Sequence, residues 1–268
     1  MARQTSFIKY KGTLGEVRHF KIKNMTGDFA GLKGGASAEQ IKNDPAFVRT
    51  RENMNEFGGC AMVGKSLRNG FAQVIKQMSD SQLTGRLTGI MKKINLEDQS
   101  EARGYRAILV STQHQYLLGL NFNRNNSFEG LFTGVIETET TAERNSVTLN
   151  VELFNTLSNV NAPAGATHFR LVNAISVLSD FAYNSTTKVY EPIESQLNET
   201  SKITYSDYIE LGTTVEAPLS IESTLPGSPT MTSDVSLISC VGIEFYQKVG
   251  ANYYLFNVGN SMKIKNIF

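Results

Sequence analysis

The sequence predicts an α+β protein: an N-terminal β-hairpin plus helical module, residues 1–125, followed by an antiparallel, immunoglobulin-like (Ig-like) β-sandwich, residues 126–268. Three observations predict it. Between Phe47 and Ile94 apolar residues recur every three or four positions, the period of a helix with one buried face. From about Gly130 the period shortens to two, with Val147, Leu149, Val151 and Leu153 alternating with Thr148, Asn150 and Glu152. Charge divides at the same place. Residues 1–125 carry 19 Lys+Arg against 10 Asp+Glu, net +9; residues 126–268 carry 7 against 15, net −8, and the two recover the overall +1.

In the first half, Phe7, Ile8 and Tyr10 begin a predicted strand, Gly12 and Gly15 bracket a turn, and Val17, Phe20 and Ile22 return. Phe29 to Leu32 adds a short strand. A lone hairpin is marginal in water, so these strands call for a partner, from this chain or a second copy. Ser37 and Gln40 have the spacing of a capping box. Asp44-Pro45 marks a second helix start, with Asp44 as N-cap and Pro45 where a missing N–H costs nothing. The predicted buried face of that helix is Phe47, Met54, Phe57, Ala61 and Gly64, continuing to Phe71 and Met78. Gly58, Gly59 and Gly64 imply either a close helix–helix approach or a break near Gly58. A further helix buries Leu83, Leu87, Ile90, Met91 and Ile94, and a weaker one covers Arg106 to Leu118.

The second half reads as seven or eight short strands separated by turns such as Pro226-Gly227-Ser228-Pro229. The chain ends on an apolar strand containing Ile264, Ile267 and Phe268. That strand either pairs inside its own sheet or completes the sheet of a neighbouring copy.

Composition and motifs narrow the function classes. With 40% hydrophobic and 19% charged residues the chain has the makings of a packed core. The start of the chain lacks the apolar run of a secretory signal, and no stretch approaches the roughly 20 apolar residues of a membrane span. Synthesis and retention in the cytoplasm are expected, unless the chain leaves by lysis, as part of a particle or filament, or by another signal-free route. Cys60 and Cys240 are expected to be buried free thiols. His19, His114 and His168 lie far apart, none at metal-ligand spacing, and no nucleophile elbow, Walker loop or dinucleotide fingerprint is present. Glu137 and Glu139 share one face of a strand, a spacing equally common at solvent-facing positions. No enzyme activity, cofactor or metal is expected.

What remains is charge. Arg49, Arg51, Lys65, Arg68, Lys92 and Lys93 lie on the polar face of the helices. They either solvate it or contact a polyanion or an acidic partner. Glu52 and Glu56 interrupt the stripe and are spaced for ion pairs within their own helix. The opposite signs of the two halves either cancel inside one molecule or draw copies together head to tail.

The run Lys11-Gly12-Thr13-Leu14-Gly15, then Lys33-Gly34-Gly35, Ile41-Lys42-Asn43-Asp44-Pro45-Ala46-Phe47-Val48-Arg49-Thr50-Arg51-Glu52-Asn53, Glu56-Phe57-Gly58, Lys65 and Leu67-Arg68 resembles a bacterial protein family with no assigned activity. The resemblance covers roughly residues 8–123. It implies a recurring N-terminal module carrying a variable β domain, and no catalytic residue. Such a pairing suits a repeated assembly subunit. The sequence therefore predicts a self-assembling structural protein, partnered by its own copies, with Phe7, Ile8, Tyr10, Ile264, Ile267 and Phe268 in the assembly strands. The alternative is a nucleic-acid or polyanion-binding protein acting through the basic helices.

Overall fold

A computed structural model describes every residue, Met1–Phe268, as a mixed α+β chain with two compact units, Met1–Arg51 and Glu52–Phe268. This division differs from the one expected at residues 125/126. The helices after Glu52 share one core with the β-sheet, so they cannot form a compact unit without it.

In Met1–Arg51, strands β1 (Ala2–Arg3), β2 (Gly12–Leu14), β3 (Val17–Phe20) and β4 (Phe29–Leu32) make an antiparallel sheet in the order β1-β4-β3-β2. Gly15, at φ 60°, takes the left-handed conformation needed between Leu14 and its partner Val17. Phe7, Ile8 and Tyr10 lie outside any strand, contrary to expectation. Gln4 is the reason: its side-chain oxygen accepts from the Tyr10 N–H at 3.0 Å, and its amide donates to Phe29 O at 3.0 Å, folding the segment into a loop. Helix α1 (Ala38–Asn43) starts at the predicted capping box, with Gln40 N donating to Ser37 Oγ at 3.1 Å and Ser37 N to Gln40 Oε1 at 2.8 Å. Asp44 caps a 3-10 turn at Pro45–Phe47 instead of the long helix itself.

The chain continues through α2 (Val48–Gly70), α3 (Ala72–Met78), α4 (Leu83–Glu97) and the single turn α5 (Phe128–Leu131). Then come β5 (Ile136–Thr140), β6 (Ser146–Val151), β7 (Phe154–Asn155), α6 (Thr156–Asn159), β8 (His168–Ser179), β9 (Phe181–Asn184) and β10 (Val189–Pro192). The last strands are β11 (Ser201–Tyr205), β12 (Ile209–Glu210), β13 (Thr214–Val215), β14 (Leu219–Thr224), β15 (Val235–Val249), β16 (Asn252–Leu255) and β17 (Ser261–Ile267). Arg106 to Leu118 forms two 3-10 turns, Val110–Thr112 and His114–Tyr116, in place of the weak helix.

Strands β8 and β15 pair at the centre of a six-stranded antiparallel sheet, with β11 and β12 beside β8 and with β16 and β17 beside β15. One face carries Val172, Ala174, Ile238 and Cys240 against Cys60, Leu67, Phe71 and Met91 of the helical region. The other face carries Phe169, Leu171, Ile243 and Phe245 against Leu149, Val151 and Ile221 of a three-stranded sheet ordered β14-β6-β5. A central strand covered on both sides needs no polar alternation, so Val235 to Tyr246 of β15 is buried throughout. Asn173 on β8 is fully buried and ties the sheets together, its amide donating to Val147 O at 2.8 Å and Ile221 O at 2.7 Å. Cys60 and Cys240 are both buried and free.

Helix α2 is unbroken at Gly58, and it buries a different face from the predicted one. Met54 and Phe57 stand about 60% exposed (60% and 59%), whereas Gly59, Cys60, Val63 and Leu67 are buried. Small residues decide the rotation, because the helix sits closest where it has no side chain. A Cβ on Gly59 would lie 2.5 Å from the Tyr190 ring, while one on Gly58 meets nothing within 4 Å. Adjacent glycines should therefore respond oppositely to alanine. Gly58→Ala is expected to stabilise by about 0.5–1 kcal/mol through helix propensity. Gly59→Ala is expected to destabilise by about 1–3 kcal/mol through overpacking. Urea denaturation of both variants checks this, and a shift of the same sign in the two would refute the packing argument.

Candidate assembly surfaces

The basic stripe predicted on the helices is largely occupied by its own chain. Arg51 donates to Ile41 O at 2.8 Å and to Asp44 O at 3.0 Å, closing the end of α1. Arg68 turns back onto the Gly64 carbonyl at 3.3 Å. Arg49 is engaged as well. Lys92 pairs with Glu56 and also donates to Asn95 Oδ1 at 2.8 Å. Lys65 and Lys93 stand exposed. Of the six, Lys92 is thus paired with a carboxylate, and Arg51 and Arg68 are held by backbone carbonyls.

Glu56 explains part of this. Its side chain is fully buried on the inner face of α2, where the sequence placed an exposed helix-surface pair. Its carboxylate accepts from Gly104 N at 2.8 Å, from Arg106 Nε at 2.9 Å and from Lys92. Burial acts to raise its pKa, but the bonds from Lys92, Gly104 and Arg106 outweigh it and hold the carboxyl below its ordinary range. Glu52 likewise reaches Arg103, at 3.4 Å.

The predicted C-terminal assembly strand is also sealed. Along β15, Ile264 stands opposite Cys240 and Ile267 opposite Ile238, and Phe268 exchanges both backbone hydrogen bonds with Leu237 at 2.9 and 3.0 Å. On the outer side of β17, Gly119 N and Leu120 O bond Ile264, and Phe122 N bonds Met262 O. Ile264, Ile267 and Phe268 are therefore parts of this chain's own core and sheet.

Two surfaces remain open. In Met1–Arg51, Phe29 is the one buried side chain, at 9% exposure, whereas Phe7, Ile8, Tyr10, Leu14, Met25 and Leu32 are exposed. This unit carries ten Lys+Arg against four Asp+Glu, net +6, leaving net −5 for Glu52–Phe268 with 16 against 21.

The second surface is the free edge of the three-stranded sheet. Glu152 N bonds Val135 O, and Thr141 N bonds Ser146 O, so the odd-numbered backbone groups here face β6. By the alternation of an antiparallel ladder, those of Ile136, Thr138 and Thr140 face outward. No hydrogen bond of the chain meets them. Glu137 and Glu139 are exposed along the same edge. β5, β6 and β14 together contain no Lys or Arg. Beside the edge lie two neighbouring hollows. One, of about 220 Å³, is lined by Phe132, Ile136 and Val241 together with Glu129, Lys263 and Lys265; the other, of about 430 Å³, by Glu137, Glu139 and Asn266, with Ile136 and Lys265 shared between them. The pair Glu137 and Glu139 is visible in the sequence, but its position at an unpaired edge is not, because edge or centre depends on sheet order.

A further cleft, of about 630 Å³, lies beside Tyr105 and Tyr183, whose rings are 4.8 Å apart, with Lys188 and Glu101 also in its wall. Nearby Asp98 is tied down by Ser100 and Ala107 N. No helix of the chain is long and apolar enough to cross a membrane. No family model, no curated protein and no solved structure matches the chain.

Proposed function

We propose that this chain is a non-enzymatic structural subunit that self-assembles into a filament, tube or phage-like particle, with Met1–Lys33 as its connecting arm. One observation carries the reading: the first unit fully buries only Phe29, leaves Phe7, Ile8, Tyr10, Leu14, Met25 and Leu32 exposed, and covers Phe20, Ile22, Ile41 and Phe47 only in part. A sheet that small, with so little apolar area withdrawn from water, does not offset the conformational entropy of ordering it. A partner surface supplies the missing burial. The excess of positive charge on the arm, against the negative remainder of the chain, favours a second copy as that partner. The two sheets that share the Phe169–Phe245 core are read as an immunoglobulin-like sandwich displayed by each subunit.

Gly34-Gly35 separates the arm from α1, so removal of Met1–Lys33 leaves the capping box intact. Full-length protein is expected to form concentration-dependent oligomers at low ionic strength, visible by light scattering and electron microscopy. The truncated chain is expected to be monomeric with an unchanged melting temperature. A full-length chain that stays monomeric at every concentration and salt level would sink the proposal.

A further inference from the structure

The assembly reading leaves open where the arm docks, and the geometry assigns that place. We infer that residues Ser6–Lys11 of one copy add as a sixth-to-eleventh-residue strand to the outer edge of β5, Ile136–Thr140, in a second copy. This rests on the self-assembly reading and names its contact.

Three independent features converge. First, β5 offers the outward backbone groups of Ile136, Thr138 and Thr140, and an added strand would satisfy them. Six residues in extended form span about 20 Å, enough to cover a five-residue strand.

Second, the side-chain patterns match. In an extended Ser6–Lys11, Ile8 and Tyr10 point to one side and Phe7, Lys9 and Lys11 to the other. The side chain of Ile136 turns inward to the hollow it shares with Phe132 and Val241, while Glu137 and Glu139 face solvent. Ile8 and Tyr10 thus enter the hollow beside Phe132, Ile136 and Val241, and Lys9 and Lys11 lie beside Glu137 and Glu139. Opposite charges on neighbouring strands attract, and the reverse register would set the lysines beside Lys263 and Lys265 of the first hollow, where like charges repel.

Third, the segment is available. Phe7 is fully exposed, and Ile8 and Tyr10 are 65% and 54% exposed. Solvent-accessible hydrogen bonds to Gln4 and within the loop hold it, with one ring contact from Tyr10 to His19 at 5.7 Å, and the hydrogen bonds exchange at little net cost.

Charge reversal tests the contact in the full-length chain. Glu137→Lys with Glu139→Lys is expected to weaken association at low ionic strength by about tenfold or more, with the melting temperature unchanged because both sites are exposed. Mixing that variant with a chain carrying Lys9→Glu and Lys11→Glu is expected to restore association, since reversed edges then meet reversed arms. If wild-type chains assemble and the Glu137/Glu139 reversal leaves their association intact, or the mixture fails to restore it, this contact is overturned while self-assembly stands. If wild-type chains do not assemble, both fall together. A Lys9→Cys, Glu139→Cys double variant gives the geometry directly, because the native thiols are buried. On mild oxidation a ladder of linked chains is expected, and a disulfide closed only within single chains would overturn the inference by placing the arm on its own copy.

Discussion

Glu56→Ala is expected to destabilise the protein by about 3–5 kcal/mol, because it strands two cations that were paired in a protected site. Lys92 and Arg106 are only 26% and 16% exposed at their side chains, and the Gly104 N–H loses its acceptor at the same time. At about 2–4 °C per kcal/mol for a chain of this size, the melting temperature should drop by several degrees or more. Chemical denaturation of both proteins at neutral pH measures the effect. A loss under about 1 kcal/mol would place Glu56 among ordinary surface pairs. The pH dependence has a definite sign. The folded pKa of Glu56 lies below the ordinary value of 4.5, so its contribution is complete above that value. It is lost as the pH falls through the lower, folded pKa. Asp180 and Glu244 are shifted upward by burial, so their effect runs the other way, favouring the folded state at low pH and diminishing as pH rises. The comparison of Glu56→Gln with the parent chain across this range isolates the Glu56 part.

Phe71→Ala is expected to cost about 3–5 kcal/mol and to do so for helices and strands together. Phe71 is fully buried, meets Phe122 edge-on at 5.9 Å, and belongs to the same cluster as Val172 of β8, Ile238 of β15 and Met262 of β17. If Glu52–Phe268 is one cooperative unit, helical and strand signals should disappear at one denaturant concentration in the parent chain, and at one lower concentration in the variant. Separate loss of the helical and the strand signals would refute the shared core of helices and sheet.

How far the fold was legible follows the range of the interactions. The capping box at Ser37 and Gln40 and the buried Leu83, Leu87, Met91 and Ile94 of α4 were readable because each depends on residues within a turn or two. The strand periodicity of β6 was readable for the same reason. The buried face of α2 was not. Hydrophobicity pointed to Met54 and Phe57, but the fit of Gly59 against Tyr190 rotated the helix away from them, and those residues are 131 positions apart. The strand expected at Phe7 was lost to a side chain, Gln4, that bonded the same backbone.

By itself the sequence determined the α+β class, the capping box at Ser37, the alternation of β6 and the strong separation of charge along the chain, since all of these are local or additive properties. Tertiary structure alone decided that the helices and the sheet share one core, that Ile264, Ile267 and Phe268 are sealed, that Glu56 is buried, and that β5 is left with a bare edge. Each of these depends on which distant segments become neighbours, and a burial or an unpaired backbone group exists only once the whole sheet order is set.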